Sequence, residues 1–313
     1  MIGFDIGGTK CAVSIGDTVG DELIIKDKRK IETCHSISPY AMIDRMCELA
    51  EDMTDDFSKI GISCGGPLNS KEGVILSPPN LVGWDNVKIV EYLKKRYGGE
   101  VAILNDANAC AVAEWKYGAG KGTQNMIFLT FGSGLGAGLI LNGELYIGAS
   151  DMAGEVGHIR LSEYGPVGYG KRGSFEGFCS GNGIASLGRI MAEEKLQMGK
   201  SVSYCMSKSE LGLITAKSIA EYADKGYEDA KEIYKICAGK LGLGLSMLID
   251  ILNPEMIVIG SVFTRSENLI REEMERVIEK ESLSYTRKAC KIVPAALTEN
   301  IGDYAALSVA AML

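Results

Sequence analysis

A carboxylate able to take a proton from a hydroxyl is the first chemistry this sequence offers. The apolar run Val101 to Leu104 ends in Asn105-Asp106, and a helical pattern follows. Strand ends that feed a helix are where open α/β sheets bind ligands, so Asp106 reads as a general base. Both residues are also preferred N-caps, and a cap for the helix through Ala113 is the plainer reading of the pair. Asp5-Ile6-Gly7-Gly8-Thr9-Lys10 lacks the Gly-x-x-x-x-Gly-Lys-Ser/Thr spacing of a P-loop and reads as a tight hairpin turn. Its glycines let backbone N–H groups approach phosphate oxygens, Thr9 adds a hydroxyl, and Asp5 could hold Mg²⁺ through water. A plain glycine hairpin is the alternative. Thr130-Phe131-Gly132-Ser133-Gly134 repeats the Gly/Ser/Thr character, and the pair of turns favours phosphate binding.

Three further stretches carry polar chemistry or an unexplained glycine. Gly242 and Gly244 sit inside a helical pattern, where each costs about 1 kcal/mol relative to Ala, so something needs close approach. Helix packing is one reason, and a nucleotide base lying near Gly242 and Gly260-Ser261 is the other. Glu155-Val156-Gly157-His158 and Glu176 offer carboxylates and an imidazole in irregular sequence, partners suited to sugar hydroxyls. A structural role is the alternative for His158.

Positioning these groups takes two similar units. Ile2 to Ile6, Cys11 to Ile15 and Leu23 to Ile31 read as an antiparallel meander, with a turn over 16–21. Helical spacing over 39–55, a strand Lys59 to Ser63, a helix near Asn86 to Tyr97, the strand Val101 to Leu104 and a helix to about Gly118 complete the order βββαβαβα. The order restarts with strands Met126 to Phe131, Gly136 to Leu141 and one near Leu145. Tyr234, Cys237, Leu241, Leu245, Leu248 and Leu252 mark a buried helical face, followed by a strand Met256 to Ile259, a helix Glu267 to Lys280, a strand Lys291 to Val293 and a helix 303–313. The expected division is a first lobe 1–118, with helix 303–313 packing back on it, and a second lobe 119–302. Gly-rich sequence over 143–183 is too long for a connector and reads as a functional insertion. Two equivalent lobes would bring both glycine turns to one cleft.

The chain has 313 residues and a formal net charge of -8, with no basic stripe, which argues against a nucleic-acid surface. Nine cysteines without disulfide or metal spacing suit a reducing, cytoplasmic setting. The sequence enters a strand at once, and no uncharged apolar run reaches membrane-span length, so neither signal peptide nor anchor is expected.

Taken in order, the Asp5 to Lys10 turn, Pro79-Asn80-Leu81-Val82-Gly83-Trp84, Asn105-Asp106-Ala107-Asn108 and Gly302-Asp303-Tyr304-Ala305-Ala306 resemble the ROK family (repressors, uncharacterised reading frames and kinases) from end to end. The resemblance implies the two-lobed, actin-like, hexokinase-like (ribonuclease H-like) α/β ATPase fold and an ATP- and Mg²⁺-dependent kinase acting on the 6-hydroxyl of an aldohexose, glucose first. It implies that Asp106 is the base and that Gly66, Asn80, Asn105, Glu155, His158 and Glu176 hold the sugar. Asp5, Gly7, Gly8, Thr9, Lys10, Thr130, Gly132, Ser133, Gly134, Gly242 and Gly260 fall on the nucleotide side. A homodimer is the expected assembly.

Two alternatives stand beside glucose phosphorylation. One is a kinase of N-acetylmannosamine or N-acetylglucosamine. The other is a sugar-responsive regulator, whose helix-turn-helix would precede the Asp5 stretch, where only four residues stand here. One departure from the family is plain. Most relatives carry Cys-x-Cys-Gly-x-x-Gly-Cys, whose thiolates join the histidine matching His158 on a structural zinc. This chain reads Val167-Gly168-Tyr169-Gly170-Lys171-Arg172-Gly173-Ser174. One imidazole cannot complete a four-ligand site, so no zinc is expected, and packing by Val167 and Tyr169 is the expected substitute.

Overall fold

The computed structural model describes residues 1–313. Strands β1 (Ile2–Ile6), β2 (Lys10–Val19) and β3 (Glu22–Glu32) form the antiparallel meander. β2 runs past the expected Ile15 because a register shift between Ile15 and Gly16 absorbs the glycine as a bulge, leaving only residues 20–21 as the turn. Helix α1 (Pro39–Glu51) starts where Ser38 accepts from the Ala41 N–H and Pro39 supplies a preset φ, and it buries Met42, Ile43, Met46, Cys47 and Ala50.

Next come β4 (Lys59–Cys64), a small hairpin of β5 (Leu68–Asn69) and β6 (Val74–Ile75), α2 (Ile89–Tyr97), β7 (Glu100–Asn105) and α3 (Asp106–Tyr117). The sheet order is β3-β2-β1-β4-β7, with β1, β4 and β7 parallel. Register sets Asp5 beside Ser63 and Cys64 beside Asn105, so three strand ends deliver polar groups to one edge.

The second sheet starts with β8 (Met126–Leu129), β9 (Ala137–Leu141) and β10 (Glu144–Tyr146). A hairpin of β11 (Val167–Gly168) and β12 (Lys171–Arg172) leads to α4 (Phe175–Phe178), α5 (Gly181–Gln197), α6 (Ala216–Asp224) and α7 (Glu228–Leu252). Then follow β13 (Met256–Ile259), α8 (Val262–Glu281), α9 (Ser284–Ala289), β14 (Lys291–Pro294) and α10 (Ile301–Ala311). The second five-stranded sheet has the order β10-β9-β8-β13-β14. Helix α8 is kinked at Ser266, so the expected start at Glu267 marks only the part beyond the kink.

Two compact units result. One comprises Met1–Phe128, Gly138–Gly154 and Ala296–Leu313, the other Leu129–Ala137 and Glu155–Ala295. The boundary thus differs from the one expected after residue 118: 119–128, 138–154 and 296–302 belong to the first unit, and the Gly-rich stretch divides at 154. In the first unit Phe4, Val13, Met46, Ile60, Ile62, Leu93 and Ile103 belong to one core. Helix α10 packs on β1, β4 and α3, and Gly61 permits this because any Cβ there would collide with the Ala306 carbonyl and Ala310 N–H. No helix is long and apolar enough to cross a membrane.

Candidate active site

In the first unit Asn105 ends β7 and caps α3, its Oδ1 accepting the Ala107 N–H at 3.0 Å. Asp106 is therefore the first residue inside the helix, and its Oδ1 accepts the same N–H at 2.8 Å. The capping role thus falls on Asn105. Asp106 is reached by solvent, yet the protein packed around its carboxyl raises its pKa, with the Ala107 N–H opposing. Asp5 lies nearby at the penultimate position of β1. Burial, then the charges of Asp106 and Asp303, push its carboxyl up to about 6, against the lowering effect of the Ser63 hydroxyl and Lys30. Asp303 is 3% exposed, accepts from Ser14 Oγ at 2.7 Å and pairs with Lys28 Nζ at 3.1 Å. Gly66 stands under the Asn105 amide, where a Cβ would lie 2.8 Å from Nδ2.

The β1–β2 turn completes this set. Gly7 N–H donates to the Lys10 carbonyl at 3.1 Å. The Gly7 carbonyl accepts from Thr33 Oγ1 at 2.6 Å and the Gly8 carbonyl bonds His35 Nε2 at 2.8 Å. Gly8 is required by close approach, since a Cβ would sit 2.5 Å from the Asn80 carbonyl oxygen. The turn expected at phosphates thus lies against the loop bearing Asn80, with Thr9 and Lys10 exposed.

In the second unit Thr130 Oγ1 accepts the Gly136 N–H at 3.0 Å and closes the second glycine turn. The Gly132 and Ser133 carbonyls accept from Gly181 and Asn182 N–H at the start of α5, whose N-cap Ser180 holds the Gly183 N–H. Glu176 Oε2 accepts the Leu135 N–H at 3.0 Å, and a Cβ at Gly134 would lie 2.7 Å from the same oxygen. Glu155 precedes and His158 ends a single 3-10 turn, and His158 is exposed. Gly260 N–H donates to the Leu129 carbonyl at 3.0 Å.

A cavity of about 520 Å³ opens beside this turn, within the range of small-molecule sites. Gly132, Ser133 and Ser261 rim it; Arg189, Lys217 and Arg265 bring positive charge, and Glu221 and Asp224 negative. Ser261 holds a φ of 56°, a strained value for a residue with a Cβ. Gly242 stands apart from these residues. It does not line the cavity but meets α8, where a Cβ would stand 2.6 Å from the Met274 carbonyl, the close helix approach that is one of its two expected uses.

The insertion also departs from expectation. Val167 and Tyr169 are 53% and 71% exposed, so they do not fill the place of thiolates, although the Tyr169 ring meets the edge of His158 at 6.3 Å. Phe175 is buried against α7 over Gly244, and the buried Ser174 donates to the Gly168 carbonyl and accepts the Gly177 N–H. Lys171 Nζ and Arg160 Nη1 each bond a backbone carbonyl at 2.7 Å, of His158 and Arg172. No group of three or more His, Cys, Asp or Glu is placed to hold a metal ion.

Sequence reasoning missed Thr33 and His35, and it missed α5 and α6, which supply Arg189, Thr215, Lys217 and Asp224 to the cavity. The Thr215-x-x-Ser218 capping box announced α6. Nothing in the sequence announced His35.

A model described as ROK family matches residues 1–312. A glucokinase of Streptomyces coelicolor is 30% identical over 278 residues, 88% of this chain and 86% of the relative. An N-acetylmannosamine kinase of Escherichia coli is 28% identical over 260 residues, 83% and 81% of the two chains. A crystal structure of a ROK family glucokinase from Streptomyces griseus in complex with glucose and AMPPNP matches with a TM-score of 0.79 and 26% identity, covering 100% of this chain and 99% of that one.

Proposed function

The chain belongs to the ROK family, and from that membership we propose that it is an ATP-dependent hexose kinase that phosphorylates the 6-hydroxyl of glucose. Its fold is the actin-like, hexokinase-like α/β fold. The observation that carries the reading is Asp106: a solvent-reached carboxylate at the junction of β7 and α3, with a raised pKa and a backbone N–H on one oxygen. A base needs a pKa lifted toward the working pH and an accessible lone pair.

In this reading Asp106 takes the proton of the attacking hydroxyl while the Asn105 amide, beside Gly66, and Asn80 hold neighbouring hydroxyls. Glu155, His158 and Glu176 are the sugar partners that the family resemblance adds, with Glu176 held to the Leu135 N–H through one oxygen. The nucleotide is taken by the 520 Å³ cavity, whose three cations suit phosphates and whose Ile214, Ala216, Ala220 and Val262 offer apolar wall to a base. Mg²⁺ fits Asp5, whose pKa is raised first by burial and then by the charges of Asp106 and Asp303, the part that a cation would offset. It would be held there through water and supply neutralising charge to the phosphates.

The N-acetylmannosamine kinase among the relatives supports a second reading of the acceptor. Steady-state kcat/KM for glucose, mannose, allose, N-acetylglucosamine and N-acetylmannosamine, read as ADP formed, decides between them. Glucose is expected to lead. A clear preference for either acetylated sugar would overturn the glucose assignment, and no ADP with any sugar would overturn the kinase.

A further inference from the structure

We propose that His35 is a positioning residue for the nucleotide phosphates, acting through the peptide planes of the Gly7-Gly8-Thr9 turn. The inference rests on the kinase reading above and deepens it. A trans peptide is planar, so its carbonyl and N–H point in opposite directions. The Thr33 hydroxyl fixes the Gly7 carbonyl at 2.6 Å and thereby aims the Gly8 N–H away from Thr33. The His35 ring, bonded to the Gly8 carbonyl at 2.8 Å, does the same for the Thr9 N–H. A carbonyl can only accept, so Nε2 carries the proton in this pair.

Both donors are left without a protein partner. Gly7 N–H is spent on Lys10, while neither Gly8 N–H nor Thr9 N–H donates to any protein group. Consecutive N–H groups aimed the same way make an anion-binding nest. The holding groups come from one short segment just past β3, and Thr33 N–H also bonds the Thr9 carbonyl at 3.0 Å, so this segment grips the turn at three successive carbonyls. From the far side the Asn80 backbone stops the turn from moving away, being too close to Gly8 for any side chain. His35 itself is exposed, so its ring is poorly placed to support the core and well placed to set the turn.

The chemistry predicts which replacement works. Gln can present its amide N–H near the position of Nε2, whereas Asn is one methylene too short. The experiment measures AMPPNP·Mg²⁺ affinity by calorimetry, with kcat, KM for ATP and thermal midpoint, for wild type and for His35→Ala, His35→Asn and His35→Gln. Loss of one hydrogen bond that orders the nest should weaken nucleotide binding and raise KM for ATP by about 3- to 10-fold in the Ala and Asn variants. The Gln variant should recover most of it. kcat at saturating ATP and the thermal midpoint should stay close to wild type in all three. Wild-type affinity in His35→Ala, or no difference between Gln and Asn, overturns the positioning role while leaving the kinase reading intact. A wild-type protein that binds no AMPPNP overturns both.

Discussion

Asp5 and Asp106 are carboxylates whose charges act on each other, and their environments separate their tasks. Asp106 sits at a helix start with a backbone N–H on one oxygen; Asp5 sits on a strand between Asp106 and Asp303 in charge terms, with Ser63 as its hydrogen-bond partner. Asp106→Asn keeps the shape and the Ala107 contact but removes the base. It should lower kcat by about 10²- to 10⁴-fold with an unchanged thermal midpoint; near-normal turnover would remove Asp106 from the chemistry. Asp5 gives a pH prediction. Its pKa is about 6 against an ordinary 3.8, so between these values the folded protein binds more protons than the unfolded chain, and stability falls as pH rises. The Asp5 contribution is fully present below pH 3.8 and lost by about pH 6, up to about 3 kcal/mol across the window. Urea midpoints of wild type and Asp5→Asn from pH 4 to 7 should diverge, with the variant flatter; parallel curves would refute the linkage.

At the scale of elements, α3 is fastened at both ends. Asn105 caps its start, and beyond its last turn the fully buried Glu114 carboxylate accepts N–H groups from Ala119, Ala296 and Leu297 at 2.8, 3.2 and 2.8 Å. One side chain thus ties the end of the helix carrying Asp106 to the segment that leads into α10. Glu114→Ala removes three charge-assisted hydrogen bonds from part-buried N–H groups and should cost about 3 kcal/mol in urea unfolding. Glu114→Gln keeps one acceptor and should cost less. Equal, small losses would mean that water replaces the carboxylate. The insertion shows the same economy with weaker parts: the Ser174 cap, two side-chain bonds to backbone carbonyls and the buried Phe175 hold β11, β12 and α4. Most of this is not legible in the sequence, because the apolar character of Val167 and Tyr169 suggests inward-facing side chains, whereas a hairpin of two-residue strands has too little length to bury both faces.

For the whole molecule, the prediction concerns metal. With no thiolate in residues 167–174 and His158 exposed beside Tyr169, the protein should purify without zinc, and a chelator should leave its thermal midpoint unchanged once Mg²⁺ is restored. Stoichiometric zinc by elemental analysis would refute this. Light scattering should report twice the mass of the chain if the homodimer expected from the family forms.

Local order accounts for what was readable from residues alone. The alternation of β1 to β3, the 3-4 spacing of α7, the turn chemistry of Gly7-Gly8-Thr9 and the place of Asp106 after β7 all depend on neighbours within a turn or a strand, so composition and spacing carry them. The missing thiolates needed no structure at all. Only tertiary contacts decided the rest. A glycine inside a helix announces close approach but not what approaches, and at Gly242 the structure brings α8. Glu176 reads as a free carboxylate until folding brings the Leu135 N–H, 41 residues away, onto one oxygen. His35 reads as an isolated loop histidine until β2 and β3 pair and carry it back to Gly8, 27 residues earlier. Such bonds join groups whose separation in sequence has no period, and a pattern without a period leaves no trace in the order of residues.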